Sequence, residues 1–130
     1  TAAAITEFKL PNNAGEDSFN LLPPLLGGRE PVREYTLHQT ISLALAIRQG
    51  DWKSLDHQGS GGNNYHRSGE WGMKQFALPE NSPGAPGQLY NLKTDPGETT
   101  NLYLEETERA QMLKTKLEEF KRTGRSAPRN

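Results

Sequence analysis

The chain has no cysteine, no long apolar run and almost no net charge. Without cysteine, its 130 residues can form neither disulfides nor thiolate metal sites. No stretch of about 18 apolar residues occurs, so the sequence predicts no membrane-spanning helix. The 15 basic and 16 acidic side chains give a formal charge of −1. Nothing in this balance predicts a nucleic-acid or membrane partner.

Large apolar residues are also scarce. Leu, Ile, Val and Phe fill 24 of the 130 positions, a supply that would suggest disorder in a highly charged chain. Because the net charge is low and several segments have clear periodicity, we expect a piece that completes its core against another surface. The chain opens with Thr1 and not with Met. We interpret it as part of a longer protein whose upstream portion is missing.

What the chain does have is a short strand, a tight turn and the start of a helix in one run, Gly87 to Tyr103. Leu89 and Leu92 suit a brief strand with a buried face. Asp95-Pro96-Gly97 then predicts a type II turn, because proline fixes φ at the second position and glycine accepts a positive φ at the third.

The periodicity along the chain predicts an α+β fold. Strands are expected in four regions: 34–39, 43–49, 52–57 and 88–92. Gln49-Gly50 is the predicted two-residue hairpin turn. An apolar stripe from Ala110 to Phe120 predicts an amphipathic helix over 106–123, ended by Gly124. We therefore predict an antiparallel sheet of about four strands with this helix laid across one face.

The remaining segments lack such periodicity. Asp17-Ser18 is predicted to cap a short helix over Phe19, Leu21 and Leu22, which Pro23-Pro24 would interrupt. Residues 58–86 are rich in glycine, asparagine and proline and predict a long loop. Residues from Ser126 onwards are expected to trail off as a tail.

The run from Gly87 to Tyr103 resembles the closing signature of the sulfatases, the family of the arylsulfatases and N-acetylgalactosamine-6-sulfatases. The hairpin Arg48 to Lys53 and the segment Asp17 to Gly27 are similar to further parts of that family. The resemblance implies an alkaline-phosphatase-like superfamily member whose C-terminal subdomain is a small sheet followed by a final helix.

The same resemblance implies a division of the chain. Residues 1–30 would be the tail end of a missing catalytic domain and a linker, 31–126 the C-terminal α+β subdomain and 127–130 a tail. The missing catalytic domain of the same chain would be the partner of this piece. Because a subdomain without its neighbour exposes apolar surface, we also expect self-association. The compartment stays open, and export of the parent to the periplasm or beyond is one alternative.

The resemblance further implies a parent enzyme that hydrolyses sulfate esters of sugars or aryl groups, using formylglycine and a divalent metal, usually calcium. Formylglycine forms at the first residue of Cys/Ser-X-Pro-X-Arg, and no serine here has that context. Ser82 is followed at once by Pro83, and Ser126 to Arg129 lacks the spacer before its arginine. We therefore expect no catalytic, metal or cofactor residue in this chain, and no hydrolysis by it alone.

His38 is the candidate site residue. It lies in Thr36-Leu37-His38-Gln39-Thr40, which resembles a family stretch where histidines precede the hairpin near the mouth of the active site. A histidine there can hydrogen-bond a sulfate or a sugar hydroxyl, and the alternative is a polar residue on a half-exposed strand. Relatives often carry His and Ser where this chain has Gln39 and Thr40, so the match is partial.

Other interpretations were weighed on their residues. His57 and His66 lack further ligands at metal-binding spacing, and Gly59 to Gly62 lacks the lysine of a phosphate-binding loop. A different class of function is a non-catalytic carbohydrate-binding or interaction module, in which Tyr65 and Trp71 stack on sugars. Superfamily relatives that cleave phosphate esters or phosphonates are a further alternative.

Overall fold

The structure is a computed structural model that describes residues 1–40, 43–58 and 81–128. The helices are α1 (Ala2–Ile5), α2 (Leu22–Leu25) and α3 (Thr107–Thr123). The strands are β1 (Tyr35–Gln39), β2 (Leu45–Gln49), β3 (Trp52–Leu55) and β4 (Gln88–Asn91). They form one four-stranded sheet in the order β1-β2-β3-β4, with every neighbouring pair antiparallel. The predicted α+β fold, with its four strands and final helix, is confirmed.

Helix α3 lies on one face of the sheet and closes the main core. Ala110, Leu113 and Leu117 recur at helical spacing, and all three are buried. They pack against Ile47 of β2 and Leu89 of β4, which are also fully buried. The half-buried residues around this cluster are mostly aromatic or leucine: Tyr35, Leu37, Leu45, Trp52, Tyr103 and Phe120. The helix-on-sheet packing expected from the two periodicities is thus present.

The hairpin between β2 and β3 turns one residue later than predicted. Gln49 pairs directly with Trp52 in the sheet register, so the turn residues are Gly50 and Asp51. Gly50 has φ +56°, a value that glycine adopts without the steric cost of a Cβ atom. The Nε of Arg48 donates a hydrogen bond to the Gly50 carbonyl at 2.8 Å. The position of the glycine therefore decides the position of the turn.

Strand β2 starts later than expected because Leu43 belongs to the connection from β1. Leu43 has φ +64° and an exposed side chain, so it cannot continue a strand. The backbone N–H of Thr40 donates to the Ala44 carbonyl, and the Thr40 hydroxyl accepts the Ala44 N–H. These bonds join the two strands next to the undescribed residues 41–42.

The short helix near residue 20 forms differently from the prediction. Asp17-Ser18 does not cap it, and Pro23-Pro24 does not interrupt it, because α2 begins at Leu22 and contains both prolines. Proline is tolerated in a first helical turn, where its missing N–H has no acceptor to lose. The side-chain oxygen of Asn20 accepts the Leu22 N–H at 3.0 Å. The N-cap position itself is Leu21, which makes no side-chain capping bond.

Two other expectations concern the predicted long loop and the C-terminal tail. Most of the predicted loop 58–86 lies outside the described residues. Ser126 and Ala127, predicted to start a free tail, are instead hydrogen-bonded to the N-terminal part of the chain, and Ala127 is buried. Within the described ranges, no helix is both long and apolar enough to cross a membrane.

Candidate functional site: the sheet face around His38

The face of the sheet opposite α3 carries charged side chains beside a second buried apolar cluster, Ala46, Leu55 and Tyr90. Strand register places Thr36, Arg48, Lys53 and Tyr90 in one row across this face. The next row consists of His38, Ala46, Leu55 and Gln88. Side chains alternate between faces along a strand, so both rows point away from the Ile47 and Leu89 core. We call this surface the His38 face.

His38 lies among cationic neighbours on this face. Partial burial, followed by the positive charges of Lys53 and Arg48, lowers the pKa of His38 from its ordinary value, and Glu98 opposes the shift. A histidine with a lowered pKa is neutral at pH 7. It can then donate from one ring nitrogen and accept at the other. The structure thus places His38 on an exposed part of β1, next to groups that favour an anion.

An ion pair ties the His38 face to the turn after β4. The Nζ of Lys53 lies 2.7 and 2.8 Å from the two carboxylate oxygens of Glu98. The two side chains are 23% and 32% exposed, so the pair is partly shielded from water. Glu98 adopts a left-handed backbone conformation, with φ +55°. Glu98 therefore pairs with Lys53 and not with Arg48, the other cation of this row.

The turn after β4 differs from the predicted type II geometry. The Glu98 N–H donates to the Asp95 carbonyl, which closes a turn around Pro96 and Gly97. The positive φ falls on Glu98, and Gly97 has none. The sequence prediction of a positive φ at Gly97 is wrong, because the turn is shaped by the Asp95 side chain as well as by its central residues.

The Asp95 carboxylate organises the chain beyond this turn. Its Oδ2 accepts the N–H groups of Thr99 and Thr100 at 2.7 and 2.8 Å, and its Oδ1 accepts the Thr99 hydroxyl at 2.9 Å. These backbone hydrogen bonds stabilise the ionised form and lower the pKa of Asp95. The carboxylate is thereby used locally and is not a candidate acid or base.

Asn101 is a buried structural residue that the sequence reasoning missed. Its Oδ1 accepts the N–H of Leu89 at 3.0 Å and that of Tyr103 at 3.1 Å, and its Nδ2 donates to the Gly87 carbonyl at 3.2 Å. The side chain therefore joins β4 to the segment that leads into α3. The available sequence signal for a structural polar residue was Asn101 itself, which lies directly before Leu102 near the end of the Gly87–Tyr103 run.

Gly87 is required by the close approach of two backbones. A Cβ atom at this position would lie 2.5 Å from the Leu55 carbonyl oxygen and 3.1 Å from the Tyr103 ring. Because real Cβ atoms do not approach backbone so closely, a larger residue would force β3 and β4 apart at this end. The Gly87–Tyr103 run is thus a structural junction, as its residues predict.

The other candidate residues do not join His38. The Nδ1 of His57 is 3.2 Å from the Gln58 carbonyl oxygen, and His66 lies outside the described residues. Gly59 to Gly62, Tyr65 and Trp71 lie outside them as well. Among residues 1–40, 43–58 and 81–128, no group of three or more His, Cys, Asp or Glu side chains could hold a metal ion.

Comparison with known proteins gives the class of this domain. No protein-family model matches the chain. The chain is 31% identical over 119 residues to the N-acetylgalactosamine-6-O-sulfatase of Bacteroides thetaiotaomicron, an alignment of 92% of this chain and 21% of that protein. Its fold is similar to a solved structure described under the metabolism of multiple glycosaminoglycans by the same organism, with a TM-score of 0.69 and 30% identity. That match covers 92% of this chain and 23% of the other.

Sequence and fold therefore agree on one family. The chain matches the C-terminal α+β subdomain of the sulfatases. It spans only about a fifth of the length of the curated relative. The resemblance found in the Gly87–Tyr103 run is confirmed.

Proposed function

We propose that this chain is the C-terminal subdomain of an enzyme that hydrolyses sulfate esters of a sulfated sugar or an aryl sulfate. In this proposal the subdomain packs beside the catalytic domain and walls the substrate cleft. The observation that carries the proposal is the sulfatase match over 92% of this chain, in both sequence and fold. The relative's name supplies the first substrate class to test, 6-O-sulfated N-acetylgalactosamine.

The reactive groups would belong to the rest of the enzyme. The described residues do not fit a divalent metal site, since no cluster of three or more suitable side chains occurs among them. The sequence holds no cysteine, and no serine precedes X-Pro-X-Arg. Formylglycine and calcium, which the family implies, would supply attack on sulfur and charge stabilisation from upstream.

The contribution of this chain would be the His38 face. A neutral imidazole on an exposed strand can hydrogen-bond a sugar hydroxyl or a sulfate oxygen. Arg48 lies in the adjacent row, which contains no carboxylate, and adds positive potential. Positive potential at a cleft rim favours the approach of an anionic substrate. These features support a binding role for His38, with no part in bond breaking.

The parent enzyme is tested by its gene. Reading the coding sequence upstream of Thr1 should find Cys/Ser-X-Pro-X-Arg, and the mass of the purified full-length protein should show the conversion of its first residue to formylglycine. An upstream sequence without that motif would reject the sulfatase parent. It would favour the carbohydrate-binding or interaction module instead.

The role of His38 is tested in the full-length enzyme by His38→Gln. We expect KM for a sulfated sugar to rise about three- to tenfold with kcat little changed, the result expected when a contact binds substrate and transition state equally. His57→Gln, whose ring lies beside Gln58, is the matched control and should change neither constant. An unchanged KM in His38→Gln would reject the contact.

A further inference from the structure

The C-terminal tail makes a concentrated set of hydrogen bonds to the N-terminal segment, residues 1–30. The Asp17 Oδ1 accepts the backbone N–H of Ser126 at 2.8 Å and its hydroxyl at 2.7 Å. The Glu16 carbonyl accepts the N–H groups of Ser126 and Ala127 at 3.2 and 2.9 Å. The Nη1 of Arg125 donates to the Asn12 carbonyl at 2.9 Å. These contacts join positions more than 100 residues apart in sequence.

The tail is shaped for this contact by its own residues. Gly124 ends α3 in the left-handed conformation, with φ +66°, and so turns the chain out of the helix. Arg125 then folds the tail onto itself, because its Nε donates to the Ala127 carbonyl and its Nη2 to the Pro128 carbonyl. Ala127 is 6% exposed. The terminal residues of a domain are usually poorly ordered unless contacts hold them. The burial of Ala127 and these backbone hydrogen bonds therefore indicate that the tail is held in place.

None of residues 1–30 of the N-terminal segment is fully buried. Helices α1 and α2 contain no buried residue. Beyond the tail, the contacts of the segment include the Thr1 hydroxyl, which accepts the Leu21 N–H at 2.9 Å, and Arg33, whose guanidinium lies 5.1 Å from the centre of the Phe19 ring. The first of these is internal to the segment. Hydrogen bonds from the tail therefore contribute to the position of residues 12–17 relative to α3.

We propose that residues 125–128 form a C-terminal clasp that holds the N-terminal segment against the end of α3. Loss of the clasp releases residues 10–21 and leaves the sheet and α3 folded. The clasp goes beyond the proposed function and does not depend on it. Under that function, the N-terminal segment leads to the catalytic domain, so the clasp would set the orientation of the subdomain on the enzyme.

Hydrogen exchange of the 130-residue chain, followed by mass spectrometry, tests the clasp. Two variants test it at different strengths: Asp17→Ala weakens the clasp by deleting the carboxylate that accepts the N–H and hydroxyl of Ser126, and truncation after Gly124 deletes the clasp. In both, amides in residues 10–21 should exchange about tenfold faster or more, whereas β2, β4 and α3 keep their protection. Asp51→Ala, which removes an exposed carboxylate from the hairpin turn, is the matched control and should leave residues 10–21 unchanged.

Two results would overturn the clasp. Unchanged exchange of residues 10–21 in the chain truncated after Gly124 would show that the segment is held by other contacts. Equal loss of protection in the segment, the sheet and α3 would show that the tail is part of the cooperative core. Because the measurement uses the isolated chain and no substrate, its outcome is separate from the test of the sulfatase parent.

Discussion

The N-terminal segment and the sheet–helix unit, residues 35–123, differ in the burial of their large apolar side chains. Ile47, Leu89, Leu113 and Leu117 of the unit are almost fully buried. The segment accounts for most of the large apolar side chains exposed among the described residues: Ile5, Phe8, Leu21, Leu25 and Leu26. The sheet and α3 thus complete a core of their own. The segment instead presents apolar surface, which supports the proposal that another domain covers it.

The largest effect should come from comparing one leucine in each region. Leu113→Ala removes a fully buried side chain and should lower the free energy of unfolding by about 2–5 kcal/mol. Leu26→Ala, at a side chain that is 78% exposed, should change it by less than about 0.5 kcal/mol. Urea unfolding followed by circular dichroism measures both. Equal losses would show that the segment is part of the same core.

Two asparagines extend the comparison to polar groups. Asn101→Ala leaves the N–H groups of Leu89 and Tyr103 without their acceptor in a buried site. We expect a loss of about 3 kcal/mol of unfolding free energy. Asn20→Ala removes an exposed acceptor from the start of α2 and should cost no more than about 1 kcal/mol. Thermal unfolding of the two variants would contradict the account if the order were reversed.

Self-association is the third way to separate the regions. The double variant Phe8→Ser with Leu26→Ser reduces the apolar surface of the segment. It should weaken association of the isolated chain about tenfold or more in light scattering or sedimentation. Met112→Ser with Leu104→Ser, which alters exposed apolar residues in or near α3, is the matched control. A wild-type chain that stays monomeric at high concentration would reject this prediction.

The smallest effect concerns the pH dependence of the sheet–helix unit. Because the pKa of His38 is lower in the folded chain than its ordinary value near 6.5, the unfolded chain binds more protons just below that pH. The free energy of unfolding should therefore fall as the pH is lowered from about 6.5 into the range of the folded-state pKa. His38→Gln should remove this part of the slope. An identical slope in the variant, measured by urea unfolding between neutral and mildly acidic pH, would contradict the assignment.

The regular elements of the sheet–helix unit were predictable because local periodicity decides them. Alternation in β2 and the stripe at Ala110, Leu113 and Leu117 each specify one buried face. The surroundings of His38 were not predictable in the same way. They depend on the register of β1 with β2 and on that of β2 with β3. A slip of β1 by one residue would move His38 to the other face.

Two of the failed predictions concern carboxylates whose hydrogen-bond partners the sequence did not indicate. The type II turn was expected from Pro96 and Gly97, but the Asp95 carboxylate accepts the N–H groups of Thr99 and Thr100, and the left-handed residue is Glu98. Aspartate is a residue type that often caps helices, yet the Asp17 carboxylate accepts a hydrogen bond from Ser126 near the other end of the chain. The contact between Asp17 and Ser126 leaves no local sequence signal, because 109 positions separate the two residues.

The most direct test of the account is a sulfatase assay of the purified 130-residue chain beside the full-length protein that contains it. The substrates are 6-O-sulfated N-acetylgalactosamine and an aryl sulfate such as 4-nitrophenyl sulfate. We predict sulfate release by the full-length protein and none above the uncatalysed rate by the chain alone. Turnover by the isolated chain would contradict the claim that its reactive groups lie in another domain.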